Sequence, residues 1–165
     1  MNLVGQLLHD EDVLLDVDVA NKDELLKVIA HLLASRHGLA EAQVLESLRA
    51  REKLGSTALG QGVAIPHARM DQVREPAGVF VRTKQPIPFD APDGKPVSKV
   101  LALLVPKEAN MQHLQLLADA AGSFSDEALR EGLGRCSQCE EARRLIAEWD
   151  EAAGRGDTPA NARGT

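Results

Sequence analysis

The chain has 165 residues, of which 44% are hydrophobic and 27% charged, and its formal net charge is −6. These values predict one soluble globular domain, since a chain of about 150 residues buries roughly 68–70% of its unfolded surface without a disulfide or metal. The acidic balance and the lack of a Lys/Arg run argue against a general nucleic-acid binder. No apolar stretch reaches the ~18–20 residues of a membrane span, and the N-terminal segment lacks the pattern of a signal peptide. We therefore expect a cytoplasmic protein without membrane insertion.

The first third of the chain predicts a strand followed by two helices. Residues 13–17 (VLLDV) form the strand. The first helix begins after Asn21, a good N-cap, and ends at Gly38, because apolar residues between them recur at the spacing of one helix face. Those residues are Leu25, Val28, Ile29 and Leu32. The second helix covers residues 41–52 and completes a helical hairpin with the first.

The central part of the chain predicts buried strands separated by glycine- and proline-rich turns. Residues 54–70 contain three glycines and one proline and show no helical period, although VAIP within them reads as a short buried strand ending at Pro66. Residues 77–83 form a strand, and the segment 85–96, with four prolines, is a turn-rich connection. The apolar run at residues 97–105 is typical of a central buried strand.

Helices return in the last third of the chain. Residues 111–124 and 126–133 form two of them, and a third carries the apolar residues of one helix face at Ala142, Leu145, Ile146 and Trp149. The polar tail, residues 152–165, is expected to be disordered, which leaves residues 1–151 as the domain. The order of elements predicts an α/β fold, with a mixed sheet of four or five strands flanked by helices on both faces.

Cys136 and Cys139 form a lone C-x-x-C. A zinc site needs about four ligands, and no second pair of Cys or His has a matching spacing. A redox pair would normally follow a strand, whereas this pair precedes a helix. We therefore interpret both residues as incidental thiols at a helix start, where Ser137 and Glu140 have the spacing of a capping box. Neither a metal nor another cofactor is expected.

Two of the five histidines, His67 and His113, lie where an anion could bind. His67 follows the VAIP run beside the glycine-rich turns at Gly55, Gly60 and Gly62, whose amides can donate to an anion. From these residues alone, a histidine that caps a loop by hydrogen bonding is as good an interpretation as a reactive one. Three histidines have structural explanations and receive no role, namely His9, His31 and His37.

His113 lies near the start of the predicted helix 111–124, where the helix dipole and free N–H groups favour an anion. Taken alone, His113 is better explained as a surface residue of this helix. If it faces His67 across a pocket, it is a natural hydrogen-bonding partner for that residue. Arg51 ends the second helix, where arginine is common because it suits the helix dipole. Its planar guanidinium can also bind phosphate oxygens as a fork.

Other chemistries fit the sequence less well. A zinc site on the two histidines could take Asp71 or Glu52 as a third ligand, but the H-x-x-x-H and H-E-x-x-H spacings are absent. No G-x-S-x-G elbow or Walker loop is present, which argues against a serine hydrolase and against ATP binding of that kind. Two histidines and an arginine around a glycine-rich anion pocket suit phosphoryl transfer, in which positioning and charge stabilisation supply most of the catalysis.

The stretch LRAREKLGSTALGQGVAIPHARM, residues 48–70, strongly resembles the enzyme IIA domains of the fructose/mannitol class in the bacterial phosphotransferase system. Among these domains, the nitrogen-regulatory branch is the most similar. The segment PIPFDAPDGKPVSKVLALLVP, residues 86–106, and the run HLQLLADAA, from His113, extend the resemblance. It covers roughly residues 8–150 of the chain.

In this family the histidine of the IPH motif accepts a phosphoryl group from a histidine-phosphorylated, HPr- or NPr-like phosphocarrier protein. The resemblance therefore implies that His67 is the acceptor, through Nε2, and that His113 is the supporting histidine. It implies that Arg51 stabilises the phosphate. The phosphate-loop candidates are Ser56, Thr57, Gly60 and Gly62.

Two positions differ from the pattern of relatives. Ala68 follows the histidine where many relatives have glycine, which reduces backbone freedom there. Gln115 stands where some nitrogen-branch relatives have a further histidine. Neither change removes the nucleophile, its partner histidine or the arginine.

Three functions are compatible with this set of residues. The resemblance favours a regulatory phosphocarrier, which controls partners such as potassium transport proteins or sensor kinases through its phosphorylation state. Such a protein is a phosphotransferase component rather than an enzyme that turns over a small molecule. The alternative is a sugar-specific IIA of the fructose/mannitol type, which passes the phosphoryl group to a IIB cysteine. A non-covalent anion-binding module is the third hypothesis.

Overall fold

Six strands form one mixed sheet in the computed structural model, which describes residues 2–108 and 110–150. The strands are β1 (Val13–Val17), β2 (Ala58–Gly60), β3 (Val63–Ala64), β4 (His67–Met70), β5 (Ala77–Ile87) and β6 (Val97–Pro106). At the centre, β5 and β6 are antiparallel, and β1 lies parallel to the outer side of β5. On the far side of β6, β3 and β4 follow one another, both parallel to it, and β2 pairs antiparallel with β3.

Helices cover both faces of this sheet. They are α1 (Leu3–Leu7), α2 (Lys22–His37), α3 (Glu41–Lys53), α4 (Met111–Phe124), α5 (Glu127–Arg135) and α6 (Cys139–Ala147), with a 3-10 turn at Asp10–Asp12. α2 and α3 share a hydrophobic core with one face of the sheet, and α1, α4, α5 and α6 share a second core with the other face. Among the described residues, no helix combines the length and apolar character that crossing a membrane requires.

The predicted α/β class, with helices on both faces, is confirmed. The strand at residues 13–17 and the helix at residues 111–124 have the predicted bounds. α2 also has the predicted ends, because the side chain of Asn21 accepts a hydrogen bond from the N–H of Glu24 at 2.9 Å and Gly38 adopts φ 66°. The predicted tail lies outside the described residues.

The sheet has six strands rather than the four or five predicted, because the glycine-rich segment pairs as three short strands. Gly60 and Gly62, at φ 92° and 79°, turn the chain sharply between β2 and β3. Pro66 has no N–H and separates β3 from β4, while its carbonyl accepts from the N–H of Leu103 at 2.9 Å. His67 is therefore the first residue of β4, not a residue at the exit of a strand that ends at Pro66.

The start of α6 differs from the prediction by one residue. The N-cap is Gln138 rather than Ser137, and the carboxylate of Glu141, not that of Glu140, closes the capping box. The Glu141 carboxylate accepts from the N–H groups of Ser137 and Gln138 at 3.1 and 3.2 Å. The predicted pairing of Ser137 with Glu140 was wrong because the first helical residue is Cys139.

The alternation of side chains along β4 decides which face of the sheet carries the candidate histidine. Ala68 and Met70 pack into the core beneath α2 and α3. Successive side chains of a strand point to opposite faces, so His67 and Arg69 lie on the other face. His67 is paired in register with Leu103, which packs in the same core as residues of α4. The fold thus places His67 on the face of the sheet that α4 covers.

Candidate functional site

The imidazole of His67 is held by the backbone just before it. Its Nδ1 lies 2.8 Å from the carbonyl oxygen of Ile65. Because a carbonyl oxygen only accepts hydrogen bonds, Nδ1 carries the proton, and in the neutral ring Nε2 keeps its lone pair. The side chain is half-buried. The geometry therefore leaves Nε2 as the nitrogen with the free lone pair.

The surroundings of His67 favour the neutral ring. Burial lowers the pKa of His67, and the positive charges of Arg51 and Arg69 act in the same direction. The hydrogen bond to Ile65 and the negative charge of Glu52 raise it, but the balance is a pKa below the usual value. A neutral imidazole at pH 7 is the form that can attack an electrophile.

Arg51 lies in the last turn of α3, next to the loop that leads to β2. Its Nη1 donates a hydrogen bond to the carbonyl oxygen of Gly55 at 2.8 Å. This contact directs the guanidinium toward the loop. The other N–H groups of Arg51 donate no hydrogen bond within the described residues. Its charge also affects the pKa of His67, so the structure brings the arginine and the histidine into one electrostatic site.

The hydroxyl groups of the two loop candidates are already engaged. The Oγ of Ser56 donates to the carbonyl oxygen of Phe89 at 2.6 Å, and the Oγ1 of Thr57 donates to the carboxylate of Glu52. The amide N–H of Ser56 has no acceptor among the described residues. In this loop, the Ser56 amide rather than a hydroxyl group is the available donor for an anion.

Gly60 ends β2 and Gly62 lies between β2 and β3, whereas His67 begins β4. The carbonyl of Gly62 accepts from the N–H of Lys99 at 3.2 Å, whereas His67 is paired with Leu103, four residues further along β6. At roughly 3.3 Å per residue, this separation is about 13 Å. The amides of these two glycines are therefore too far along the strand to contact an anion on His67, and the structure gives both residues a turn-forming role.

His113 is a buried residue in the first turn of α4, with 8% of its surface exposed. The N–H of Asn110 donates to its Nδ1 at 3.3 Å, and the side chain of Asn110 accepts from its backbone N–H at 3.0 Å. Because Nδ1 accepts, the neutral ring carries its proton on Nε2. Nε2 of His113 is therefore a hydrogen-bond donor, whereas Nε2 of His67 is an acceptor or nucleophile.

The two histidines lie on the same side of the sheet. Leu116 and Ala120 of α4 pack in the core that contains Leu103, the register partner of His67. No hydrogen bond joins the two imidazoles within the described residues. His113 instead lines an open cleft of about 420 Å³ between α1 and α4, and His67 is not part of that lining.

The remaining histidines have the structural settings expected for them. His31 bonds through Nδ1 to the carboxylate of Glu41 at 2.9 Å, His37 ends α2, and His9 precedes the 3-10 turn. In the part of the chain that the structure describes, no group of three or more His, Cys, Asp or Glu residues could hold a metal ion. Arg69, which acts on His67 through its charge, was not singled out by the sequence, since nothing in the local pattern predicts its face.

The chain matches the family model described as "Phosphoenolpyruvate-dependent sugar phosphotransferase system, EIIA 2" over residues 6–149. It is 35% identical to the nitrogen regulatory protein of Klebsiella oxytoca, over 88% of this chain and 90% of that protein. It is 34% identical to that of Escherichia coli K12, over 89% and 91%.

Two solved structures are similar to this fold. Nitrogen regulatory protein IIA-Ntr from Neisseria meningitidis superposes with a TM-score of 0.84 and 47% identity, over 88% of this chain and 99% of that one. IIA mannitol from Escherichia coli shares the fold, with a TM-score of 0.72, 24% identity and coverage of 85% and 99%.

Proposed function

The chain belongs to the EIIA 2 family of the phosphoenolpyruvate-dependent sugar phosphotransferase system, and we propose that it is a phosphocarrier whose acceptor atom is Nε2 of His67. The observation that carries this proposal is the 2.8 Å contact between Nδ1 of His67 and the carbonyl of Ile65. That contact reserves Nε2 for chemistry at a half-buried position beside an arginine. The phosphoryl donor is an HPr- or NPr-like carrier protein phosphorylated on its own histidine.

The transfer step follows from the tautomer. The lone pair on Nε2 of His67 attacks phosphorus in line, the new N–P bond forms, and the N–P bond to the carrier's histidine breaks with its electron pair returning to that nitrogen. As Nε2 becomes bonded to phosphorus, the ring of His67 gains positive character. The carbonyl of Ile65 stabilises this charge because it accepts the Nδ1–H hydrogen bond.

Arg51 and the loop supply donors to the transferred group. The guanidinium of Arg51, anchored on Gly55, offers its remaining N–H groups to the phosphoryl oxygens, and the amide of Ser56 offers another. His113 contributes an Nε2–H donor from the first turn of α4, where the helix dipole also favours negative charge. Its present contacts leave that donor available.

The carrier must approach the loop beside His67. Leu54, directly after the last turn of α3, is 85% exposed. It precedes Gly55, the residue on which Arg51 is anchored. A carrier protein that docks on this loop covers the side chain of Leu54.

The output of phosphorylation is proposed to be regulatory. The relatives of 34–35% identity are nitrogen regulatory proteins, and they match this chain over nearly their full length. A phosphoryl group adds about −1.5 to −2 charges, taking the value for hydroxyl phosphates, which is enough to change binding at a protein surface. Potassium transport proteins and sensor kinases are the proposed kinds of target.

The test is a mass measurement after incubation with phosphoenolpyruvate, enzyme I and an HPr- or NPr-like carrier. We expect an adduct of about 80 Da, the mass of one phosphoryl group, on the wild-type chain and on His31→Ala. His67→Ala should carry none. A wild-type chain without an adduct would defeat the phosphocarrier proposal, and an adduct on His67→Ala would move the site elsewhere.

The sugar-uptake alternative is separated by a second incubation. The phosphorylated chain is mixed with fructose- or mannitol-type IIB domains, and the label is followed. A regulatory protein retains most of the label in the time that a sugar-specific IIA loses it completely to the IIB cysteine. Complete and rapid loss would contradict the regulatory assignment.

A further inference from the structure

A buried carboxylate lies directly behind the loop that borders His67. The side chain of Glu52, the neighbour of Arg51 in α3, is only 5% exposed. Its oxygens accept hydrogen bonds from the Thr57 amide at 3.3 Å, from the Thr57 hydroxyl, and from the Nζ of Lys22 at 3.1 Å. A buried carboxylate with this many donors is a fixed point in the structure, because moving it would leave charged and polar groups unpaired.

Lys22 joins this carboxylate to the opposite side of the loop. Its Nζ lies 4.5 Å from the ring centroid of Phe89 and 3.6 Å from the carboxylate of Asp90. The carbonyl of Phe89 in turn accepts the hydroxyl of Ser56 at 2.6 Å. The two hydroxyl residues of the loop are thus tied to one cluster, Thr57 through the carboxylate and Ser56 through the backbone of Phe89.

Two further hydrogen bonds connect the cluster to the acceptor. The carbonyl of Thr57 accepts from the N–H of Ile65 at 3.0 Å, and the carbonyl of Ile65 accepts from Nδ1 of His67 at 2.8 Å. The same loop provides the carbonyl of Gly55, on which the guanidinium of Arg51 is anchored. The imidazole of His67, through Ile65, and the guanidinium of Arg51 are therefore both hydrogen-bonded to residues 55–57.

We propose that Glu52 is a positioning residue of the phosphoryl site, which holds residues 55–57 so that the Ile65 carbonyl and the Arg51 guanidinium are in place before the carrier docks. The inference rests on the proposed phosphocarrier function. Glu52 acts through Thr57 and through the loop, not by contact with the phosphoryl group. Misplacement of about 1 Å in a site of this kind is enough to slow a reaction substantially.

The charge of Glu52 gives a second, separable effect. Burial lowers the pKa of His67 and the charges of Arg51 and Arg69 act in the same direction, whereas Glu52 opposes them. Lys22 from α2 is ion-paired with Glu52 and lies 3.6 Å from the carboxylate of Asp90, in the connection between β5 and β6. Asp23, Arg49 and Lys53 line the same cleft as Glu52. Removing the Glu52 charge alone therefore shifts the titration of His67 to lower pH.

The experiment compares three variants of the full chain with the wild type. Glu52→Gln removes the charge, Thr57→Val removes the hydroxyl that the carboxylate accepts, and Glu46→Gln makes the same charge change at an exposed position of α3. Three quantities are measured: the His67 imidazole titration by NMR, kcat and KM for phosphorylation by the carrier, and the thermal unfolding midpoint.

For Glu52→Gln we expect His67 to titrate at lower pH and kcat to fall about tenfold, with KM for the carrier unchanged. Thr57→Val should lower kcat without moving the titration, because the negative charge stays. Glu46→Gln should change none of these quantities. If Glu52→Gln matches Glu46→Gln in titration and kcat, or if it changes only the unfolding midpoint, the positioning role is wrong.

One part of this experiment, the NMR measurement, does not depend on the phosphocarrier proposal. The NMR titration and the Nδ1–H signal of His67 are read in the absence of any carrier. If the wild-type chain takes no adduct, a changed Nδ1–H signal of His67 in both Glu52→Gln and Thr57→Val still supports positioning of His67 by Glu52, because Thr57→Val keeps the charge. An unchanged signal in both variants overturns it. If Glu52→Gln does not fold, Thr57→Val decides: unchanged kcat in that variant overturns the role.

Discussion

Nδ1 of His67 lies 2.8 Å from the carbonyl oxygen of Ile65, two residues earlier in the chain. The tautomer of the ring is therefore set by the backbone, and no side-chain substitution removes the acceptor. The same arrangement orients the imidazole before a partner arrives, because Ile65 is itself held by the hydrogen bond from its N–H to the carbonyl of Thr57. The predictions on reactivity below follow from this contact and from the groups around it.

The first prediction concerns the pH dependence of His67. Its pKa is lowered mainly by burial, so the ring stays neutral at pH values below about 6.5, the usual pKa of histidine. The rate of phosphoryl acceptance should stay constant as the pH falls from 8 through about 6.5, and decline only at lower pH, where the ring becomes protonated. Imidazole ¹⁵N shifts measured against pH check both the tautomer and the titration. A proton on Nε2 at pH 8, or a titration above 6.5, would contradict the prediction.

This shift has a consequence for stability. In the folded chain His67 binds a proton less readily than in the unfolded chain. Its contribution to the free energy of unfolding is therefore fully present above the unfolded pKa of about 6.5. It is lost progressively as the pH falls through the lower, folded pKa. His67→Gln should therefore reduce the dependence of unfolding free energy on pH in this acidic window, as measured by denaturant titration at several pH values.

The second prediction concerns the fork geometry of Arg51. Arg51→Ala should lower kcat by about 100-fold, because a donor to the transferred group and the anchor on Gly55 are both lost. Arg51→Lys should recover only part of this loss, since an ammonium group keeps the charge without the planar pair of donors. Arg49→Lys, on the same helix, changes an exposed ion pair with Asp23 and should leave kcat unaltered. Full activity of Arg51→Lys would show that charge alone suffices.

The third prediction concerns His113. His113→Ala removes the Nε2–H donor and should slow transfer by about 100-fold, while α4 still forms because alanine is a good helix residue and Asn110 remains as the N-cap. Transfer rates and circular dichroism are compared with those of His31→Ala, which alters an exposed histidine of α2. An unchanged rate with intact helix content would remove His113 from the mechanism.

The fourth prediction concerns packing under the site. Gly78 is the register partner of Leu103 in β5, and an added Cβ would lie 2.8 Å from Cδ1 of Leu7 and 3.0 Å from Cδ2 of Leu103. Gly78→Ala should cost about 1–3 kcal/mol of unfolding free energy. Gly134→Ala in α5, where the nearest side-chain atom is 3.4 Å away on Lys99, should be neutral or stabilising by up to about 1 kcal/mol. Equal effects of the two substitutions would show that β5 and α1 separate without cost.

The fifth prediction concerns a second buried carboxylate, Asp12, which ends the 3-10 turn. Asp12 is fully buried and accepts from the Nε of Arg36 at 2.7 Å and from the amide of His9 at 2.9 Å. Asp12→Ala leaves both donors unpaired and should cost about 2–3 kcal/mol in denaturant unfolding. Asp18→Ala, at an exposed position, should stay within about 0.5 kcal/mol of the wild type. A similar cost for both would mean that the bonds of Asp12 add no net stability.

Most helices and long strands could be predicted from the sequence because their determinants are local. The spacing of Leu25, Ile29 and their neighbours, the cap at Asn21 and the stop at Gly38 lie within one element, and α2 has the bounds they indicate. The short strands could not be placed in this way. β3 and β4 exist because β6 offers a row of hydrogen-bonding groups, and β2 in turn pairs with β3. Residues 58–70 alone do not reveal the strand on which they pair.

The sequence by itself determined the family, since the residues around VAIPH and REKLGST carry the family resemblance, and the family model matches them. Only the tertiary structure decided how each residue serves the site. The hydroxyl of Ser56 bonds to Phe89, 33 residues away, and the hydroxyl of Thr57 is taken by Glu52, while Gly60 and Gly62 lie about 13 Å from His67 along the strand. Free donors and distances depend on contacts between segments far apart in the chain, whereas the tautomers of His67 and His113 depend on Ile65 and Asn110, two and three residues earlier. The neighbours of His67 in sequence therefore identify it as the candidate acceptor and set its tautomer, whereas a contact with the distant Phe89 engages the hydroxyl group of Ser56.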